Sequence, residues 1–277
     1  MGVILEQSGE RFISAREQHI FFVVETSSAL QGEPILEINN AIRAALEELK
    51  KVNEDGIELC IGILEYNDIA RWSECRNKAR KLDYLRDFIW EDLDIRGGRR
   101  LCEALETLER GLSRKTKMES AGGNYRPIVV FISDGHSHDD WERGLQVLSE
   151  NKWYKYALKV AFAIGWNPCK DVLKKIVTVG IPGIVQTVRY YEDLPELTQI
   201  AVMAAVTGNL TACRYGPAVE NREVSIVIMN EIVDALRQAG YEAVYHDKTG
   251  EDSANALRGV DMLQLDSSDD YDFGEFV

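Results

Sequence analysis

The sequence predicts an α/β protein with a doubly wound, mostly parallel central sheet flanked by helices. The first observation is that short apolar runs alternate with amphipathic segments from residue 19 to residue 206. Several runs are apolar almost throughout, which is typical of strands buried on both faces of a parallel sheet. The second observation is that the connections are long enough for helical crossovers, which join parallel strands. A chain of 277 residues that is 45% hydrophobic can bury such a core.

The first half of the chain is predicted to begin with an irregular arm over residues 1–18 and then to enter the sheet. His19–Glu25 predicts a buried strand, and Pro34 suits the first turn of the next helix. Apolar residues at helical spacing extend that helix through Lys51. The following patterns predict a strand at Ile57–Tyr66, a short edge strand at Ala70–Ser73, and either a short helix or a packed loop at Leu82–Trp90.

The second half continues the alternation. The predicted elements are a helix at Leu101–Leu112, a loop at 113–126, a strand at Pro127–Ser133, a helix from Asp139 to about Asn151, a strand at Ala157–Gly165, a short helix at Cys169–Ile176, a strand at Ile184–Tyr190 and a helix at Leu194–Val206. Residues 19–206 thus form the predicted domain. A C-terminal extension at 207–246 follows, with turn-rich residues 209–221, a helix near 222–238 and a candidate strand at Tyr241–Tyr245.

Charge and composition exclude several classes of protein. The net charge of −14 argues against binding to nucleic acid or anionic membranes. No apolar run approaches the roughly 20 residues that cross a bilayer, and Met1–Arg16 lacks a signal-peptide core, so we expect a cytoplasmic protein. The five cysteines include no Cys-x-x-Cys pair, which disfavours a zinc knuckle or a disulfide framework. Cys60 and Cys102 lie in apolar segments and are expected to be buried.

Three polar stretches are predicted to meet at one edge of the sheet. The first is Glu25-Thr26-Ser27-Ser28-Ala29, the second contains Gly97-Gly98-Arg99-Arg100, and the third is Ser133-Asp134-Gly135. Each lies at the carboxyl end of a predicted strand or at the start of a helix. Open α/β sheets bind their ligands at this edge.

The order and spacing of these stretches resemble the metal-ion-dependent adhesion site of von Willebrand factor A (VWA) domains. In that family the first loop reads Asp-x-Ser-x-Ser, the second Gly-Gly-Thr-x-Leu-x-x-Ala-Leu, and the third ends in Thr-Asp-Gly. The resemblance covers residues 19–206 and implies a non-enzymatic protein–protein interaction module. Around Gly32-Glu33-Pro34-Ile35 and the stretch from Asp134 to Trp141, the chain is most similar to bacterial tellurite-resistance Y-type proteins. Those are cytoplasmic and are associated with stress responses and kinase–phosphatase systems, which implies a protein partner of that kind.

The match to the family's metal site is incomplete. Ser27 and Asp134 are retained, but Glu25 replaces Asp, Ala29 replaces the second Ser, and Arg99 replaces Thr. Magnesium needs oxygen ligands in near-octahedral geometry at about 2.0–2.1 Å. A guanidinium 4 Å from a unit positive charge is repelled by roughly 4 kcal/mol at an effective dielectric of 20. We therefore predict that Arg99, or Arg100 if the loop shifts, replaces the metal and neutralises Glu25 and Asp134, so that no cofactor is needed.

Two other interpretations of this edge remain open. The first is a cation-dependent binding module in which Glu25, Ser27 and Asp134 hold Mg²⁺. The second is a metal-dependent hydrolase that uses the 136–140 loop, because His136, His138, Asp139 and Asp140 are suitable ligand types. The simpler explanation of that loop is that its acids cap the next helix. No phosphate-binding glycine fingerprint, nucleophile elbow or kinase signature is present, so we expect no enzymatic activity.

Residues 247–277 form an acidic tail with nine acids against two bases. So little apolar content favours a solvated, flexible segment. Two functional alternatives remain. Tyr271, Phe273 and Phe276 are candidate anchors that would dock on a basic face, either the protein's own around Arg71–Arg86 or a partner's. Phosphorylation of Ser267 and Ser268 would strengthen such docking.

Overall fold

The computed structural model describes residues 15–52, 57–74, 82–119, 124–213 and 222–246. Most of the predicted arm, part of the Arg71–Arg86 stretch, and the acidic tail with Tyr271, Phe273 and Phe276 lie outside these residues. Within them the predicted fold class is confirmed, because a mostly parallel sheet is covered by helices on both faces.

The sheet contains eight strands within the described residues. Five of them, β1 (Arg16–Glu25), β2 (Ile57–Tyr66), β5 (Ile128–Ser133), β6 (Leu158–Ala163) and β7 (Gly183–Thr187), are parallel in the order β2-β1-β5-β6-β7. Short antiparallel strands complete the two edges. β3 (Ala70–Trp72) and β4 (Asp83–Tyr84) pair with β2, and β8 (Tyr245–His246) pairs with β7.

Seven α-helices connect or cover the strands of the described chain. They are α1 (Glu33–Leu49), α2 (Leu101–Gly111), α3 (Trp141–Ser149), α4 (Lys152–Tyr156), α5 (Lys170–Val177), α6 (Leu194–Cys213) and α7 (Arg222–Gln238). None of the helices in the described ranges combines the length and apolar character needed to span a membrane.

Alternate residues of β1 pack into two separate cores. Ile20, Phe22 and Val24 face a core that includes residues of α1, α6 and α7. Phe21 and Val23 face the core on the other side of the sheet, which includes residues of α2, α3 and α5. This two-sided burial explains why the sequence of β1 is apolar almost throughout.

Several predicted boundaries are wrong. β1 begins at Arg16, so the last residues of the predicted arm are in the sheet. The helix predicted from Asp139 to about Asn151 is α3 (Trp141–Ser149), and the sequence did not predict α4, which follows because the Asn151 side chain accepts a hydrogen bond from Tyr154 N and caps it. In the 82–90 stretch the packed-loop alternative is confirmed and the helix is not, because the two-residue strand β4 is followed by turns in which Leu85 and Phe88 are buried. The strand predicted to end at Tyr190 ends at Thr187, and the last strand is Tyr245–His246.

The largest error concerns α6, which was predicted to end at Val206 and extends to Cys213. Gly208 lies inside α6, at a point where α7 crosses closely. A β-carbon at Gly208 would lie 2.6 Å from Ile228 Cγ2. The glycine therefore permits helix–helix contact and does not terminate the helix. Asn209 is also buried, and its side-chain amide donates to Gln18 Oε1 at 2.9 Å.

Candidate functional site

The predicted polar edge forms at the carboxyl ends of β1 and β5, the two strands at the centre of the sheet. β1 lies between β2 and β5, and the chain crosses from one side of β1 to the other at this point. In open α/β sheets such a reversal leaves a crevice at the carboxyl ends of the strands. Glu25 ends β1, Ser133 ends β5, and Asp134 follows directly.

Glu25 is fully buried and is held by hydrogen bonds from three directions. The Ser27 hydroxyl donates to Oε1 at 2.5 Å. The Ser133 hydroxyl donates to Oε2 at 2.9 Å, and Asp134 N donates to the same oxygen at 3.0 Å. Tyr66 Oη lies 2.7 Å from Ser133 Oγ and extends this network to the end of β2.

The Arg99 guanidinium lies beside both acids. Its Nη1 is 3.2 Å from Asp134 Oδ2, and its Nε is 3.7 Å from Glu25 Oε1. The side chain of Arg99 is 25% exposed, whereas those of Glu25 and Asp134 are 0% and 8% exposed. The arginine therefore covers the two acids and separates them from solvent.

The glycines before Arg99 fix the path of its loop. Gly97 has a φ of +51°, and a β-carbon there would lie 1.7 Å from Asp68 Oδ2. Asp68 also accepts a hydrogen bond from Gly98 N at 2.9 Å. Backbone bonds from Arg96 N to Thr26 O and from Ser28 N to Gly97 O join the loop to the end of β1. The loop is thus anchored on the strand that carries Glu25.

The other predicted site residues have different positions. Arg100 points away from the two acids and pairs with Glu103 Oε2 at 3.2 Å, so the shifted-loop alternative is not observed. Ser28 is exposed, and its backbone N donates a hydrogen bond to Gly97 O at 3.1 Å. Ser27 contributes its hydroxyl to Glu25 and also accepts from Ala29 N at 3.3 Å.

Burial makes Glu25 hard to ionise. Desolvation, followed by repulsion from Asp134, raises the pKa of Glu25 from its ordinary value of 4.5 to about 7, although hydrogen bonds from Ser27, Asp134 and Ser133 oppose this rise. The 3.7 Å contact with Arg99 does not offset the cost of burial. Burial also raises the pKa of Tyr66 well above its ordinary value, so its hydroxyl remains a donor.

The 136–140 loop caps two helices. Asp140 is the N-cap of α3 and accepts from Arg143 N at 3.2 Å, as the simpler explanation predicted. Asp139 instead caps α2, because its Oδ1 accepts from Cys102 N at 2.9 Å. His136 Nε2 lies 2.9 Å from Asn167 O. The three side chains thus have structural roles, and the four ligand-type residues of this loop do not form a metal-ligand cluster by the geometry of the described residues.

Large exposed apolar side chains surround the same edge of the sheet. Trp166, in the loop after β6, is 100% exposed, and Tyr190, after β7, is 64% exposed. Ile69, between β2 and β3, is 48% exposed. Gly165, next to Trp166, lies close to Asp134, since a β-carbon there would be 3.4 Å from Asp134 Cβ. An exposed tryptophan next to the charged centre is unusual for a surface without a partner.

The sequence profile of the von Willebrand factor type A domain matches residues 19–200, which include all three loops. The chain belongs to the VWA domain family. Domains of this family mediate protein–protein interactions. No curated protein matches the sequence significantly.

Solved structures share this fold at low sequence identity. A von Willebrand factor type A protein from Catenulispora acidiphila is 13% identical with a TM-score of 0.49, and covers 68% of this chain and 42% of its own. Proximal thread matrix protein 1 from the mussel byssus is 16% identical with a TM-score of 0.47, at 68% and 48% coverage. An aerotolerance-related membrane protein from Bacteroides fragilis is 11% identical with a TM-score of 0.44, at 67% and 98% coverage. The chain spans less than half the length of the first two proteins.

Tyr66 is a site residue that the sequence analysis did not predict, and Ser133 was predicted only as part of the third polar stretch, without a role of its own. Tyr66 ends β2, directly beside Glu25 in the sheet register, and Ser133 precedes Asp134. Both positions were therefore visible as polar residues at the carboxyl ends of strands. Their hydrogen bonds to each other and to Glu25 depend on the order of the strands, which the sequence left open.

Proposed function

We propose that this VWA domain is a non-enzymatic protein-docking module whose adhesion site works without a metal ion. The observation that carries the proposal is the Arg99 guanidinium, which lies against Glu25 and Asp134 where the family has a cation. In this proposal the fixed charge of arginine replaces the charge of the ion, and the site is a degenerate metal-ion-dependent adhesion site.

The donor set around Glu25 does not fit a divalent cation. A carboxylate offers about four lone-pair positions. Hydrogen-bond donors from Ser27, Ser133, Asp134 N and Tyr66, together with the Arg99 guanidinium, already surround the Glu25 carboxylate. Ser27 uses its hydroxyl proton on the same carboxylate, and Ala29 has no oxygen in its side chain. Magnesium would have to displace these groups, and it tolerates distorted geometry poorly.

Electrostatics supports the same conclusion. A divalent ion 4 Å from the Arg99 charge would be repelled by about 8 kcal/mol at an effective dielectric of 20. In the absence of a metal, movement of Arg99 away from the acids would leave Glu25 and Asp134 buried next to each other without any positive charge. Binding of a metal would therefore require Arg99 to leave the site first.

The same guanidinium retains capacity for a partner. A guanidinium has five N–H donors in a planar fork. In the described part of the chain, the two ion pairs of Arg99 are made through Nη1 and Nε, and the side chain is 25% exposed. A carboxylate from a partner can bind there by a charge-assisted hydrogen bond. Trp166 and Tyr190 would supply the apolar contacts around it, as aromatic residues do in protein interfaces.

The biological setting is a further part of the proposal. Similarity to tellurite-resistance Y-type proteins around Gly32–Ile35 and Asp134–Trp141 supports a bacterial stress-response or defence scaffold in the cytoplasm, with a kinase- or phosphatase-linked partner. Neither nucleic acid nor a membrane is part of this proposal, since the net charge of −14 repels both.

Calorimetric titration with Mg²⁺ and Mn²⁺ tests whether the site is independent of metal. We expect no binding by the wild-type protein at micromolar concentrations. We expect the triple variant Glu25→Asp, Ala29→Ser, Arg99→Thr, which restores the family's residues, to gain Mg²⁺ binding. Micromolar binding by the wild type that Asp134→Ala abolishes would refute the replacement of the metal by Arg99.

Partner capture tests the docking surface. Proteins retained from the native host in the presence of a chelator are compared for the wild type, Arg99→Gln and Trp166→Ala. The matched control is Tyr156→Ala, because Tyr156 is 46% exposed at the opposite edge of the sheet, just before β6. We expect a specific partner to be lost with the first two variants and retained with the control. Loss of the partner from the wild type on chelation would contradict the proposal.

A further inference from the structure

A second group of polar side chains lies at the opposite end of β1. Glu17 and His19 are two residues apart on β1 and face the same side of the sheet, and Cys60 of β2 is the register partner of His19. One ligand atom from each residue lies within 4.8 Å of the other two. All three residues are buried, with exposed fractions of 8%, 1% and 2%.

This combination of donors suits one class of ion. Zinc binds thiolate sulfur at about 2.3 Å, imidazole nitrogen at about 2.0–2.1 Å and carboxylate oxygen at about 2.0–2.2 Å, usually in a tetrahedron. The thiolate of Cys60 and the carboxylate of Glu17 carry two negative charges, which together balance a divalent cation. The ion would therefore be neutralised by its ligands, as burial in a low-dielectric interior requires.

The two nitrogens of the His19 ring have different surroundings. His19 Nδ1 is buried without a hydrogen-bond partner in the described ranges. Burial lowers the pKa of His19 to about 4, against the opposing effect of backbone groups of Glu17 and Lys117, so the ring is neutral and can act as a ligand. A buried polar atom without a partner costs about 1–3 kcal/mol. The other ring nitrogen, Nε2, lies 3.4 Å from Glu17 Oε2 and therefore faces the carboxylate of the cluster, where it can bind an ion.

A hydrogen bond also orients the Glu17 carboxylate, as is typical of a metal ligand. Tyr84 of β4 donates its hydroxyl proton to Glu17 Oε1 at 3.1 Å, and β4 pairs with β2 beside Cys60. Groups that orient the ligands in this way are common around bound metals. A Cys-His-Glu nucleophile is the other chemistry these residues allow, but burial of all three denies a substrate access to the thiol.

We propose that Glu17, His19 and Cys60 form a structural site for zinc, at the opposite end of β1 from Glu25. Three protein ligands hold the ion, and water or the second oxygen of Glu17 completes its coordination. The ion joins β1 to β2 near the amino end of β1. The family's adhesion site lies at the carboxyl end of the same strand. This site is independent of the Arg99 site.

Cobalt is the probe for this proposal, because Co²⁺ replaces Zn²⁺ and a thiolate ligand gives a cobalt charge-transfer absorption in the near ultraviolet. Co²⁺ is titrated into metal-free, full-length wild-type protein, and Zn²⁺ is then added in competition. We expect one ion per chain, the thiolate absorption, and its loss when Zn²⁺ displaces Co²⁺. Absence of the absorption with cobalt in large excess would overturn the proposal.

Variants assign the absorption to this site. Cys60→Ser should abolish it, whereas Cys102→Ser should retain it, because Cys102 is equally buried but lies on α2. Asp134→Ala should also retain it, which separates this site from the Arg99 site. If Cys60→Ser fails to fold, Glu17→Gln is the second variant and should weaken cobalt binding at least tenfold. An absorption that Glu17→Gln and Cys60→Ser leave unchanged would contradict the proposal.

Discussion

At the scale of single residues, Glu25 illustrates how a buried acid is retained in this fold. Its carboxylate is fully buried, and its pKa is raised to about 7 by burial first and by Asp134 second. Hydrogen bonds from Ser27, Asp134 N and Ser133 limit this rise in the pKa but do not cancel it. A buried charge that is only partly compensated reduces stability, so its retention favours a role in recognition over one in folding.

The Glu25→Gln variant tests this interpretation through the pH dependence of stability. Because the folded-state pKa of Glu25 is raised, its protonated form favours folding, and that contribution is lost as pH rises from about 4.5 to about 7. At about 1.4 kcal/mol per pKa unit, the wild type should lose about 3 kcal/mol relative to Glu25→Gln over this range. Urea unfolding at pH 5, 6, 7 and 8 measures the difference. If the difference in unfolding free energy between the two proteins is the same at pH 5 and at pH 8, Glu25 does not titrate in this range.

At the scale of elements, one loop controls the amino ends of two helices. Arg100, the residue before α2, makes no side-chain cap, and Asp139 from the next loop caps α2 instead. Asp139 also accepts from the Ser137 hydroxyl at 2.5 Å. The Arg99 carbonyl in turn accepts from His138 N at 2.8 Å. The cap therefore joins the loop that carries Asp134 to the loop that carries Arg99.

Replacement of Asp139 should cost more stability than replacement of its neighbour. Asp139→Ala removes the cap of α2 and the bond to Ser137, and we expect it to destabilise the protein by about 2 kcal/mol. Asp140→Ala removes one cap bond at a more exposed position and should cost about 1 kcal/mol or less. Denaturant unfolding compares the two, and faster hydrogen exchange at the Cys102 amide should accompany the first. Equal losses in both variants would mean that Asp139 does not stabilise α2.

The sequence predicted the elements better than it predicted their contacts. The strand at Ile57–Tyr66 has the predicted bounds, because its period and composition are local properties. The capping of α2 by Asp139 was missed, since the two are distant in sequence and Asp139 also suits the nearer helix. The network of Tyr66 and Ser133 around Glu25 was missed because it depends on which strands are neighbours. The proximity of Arg99 to Asp134 was predicted, since the carboxyl ends of parallel strands must meet at one edge.

At the scale of the whole molecule, the C-terminal helix is part of the main core. Residues of α7 that include Ile228, Ile232 and Leu236 are buried in the same cluster as α1 and α6. β8 adds a final antiparallel pair to β7. The residues beyond 206 thus complete the helical layer on one face of the sheet. Gly208 allows α7 to pack closely against α6 in this layer.

Gly208→Ala tests the importance of that crossing. In an isolated helix alanine is about 1 kcal/mol more favourable than glycine. In this protein the new methyl group would lie 2.6 Å from Ile228 Cγ2, on a β-branched side chain that cannot rotate away easily. We therefore expect a net loss of about 1–3 kcal/mol in unfolding free energy. Ile228→Ala should create space for the methyl group, so the double variant should be more stable than the sum of the two single losses predicts. Denaturant unfolding of all four proteins measures this coupling. Strict additivity, or a more stable Gly208→Ala protein, would show that α6 and α7 do not meet at this glycine.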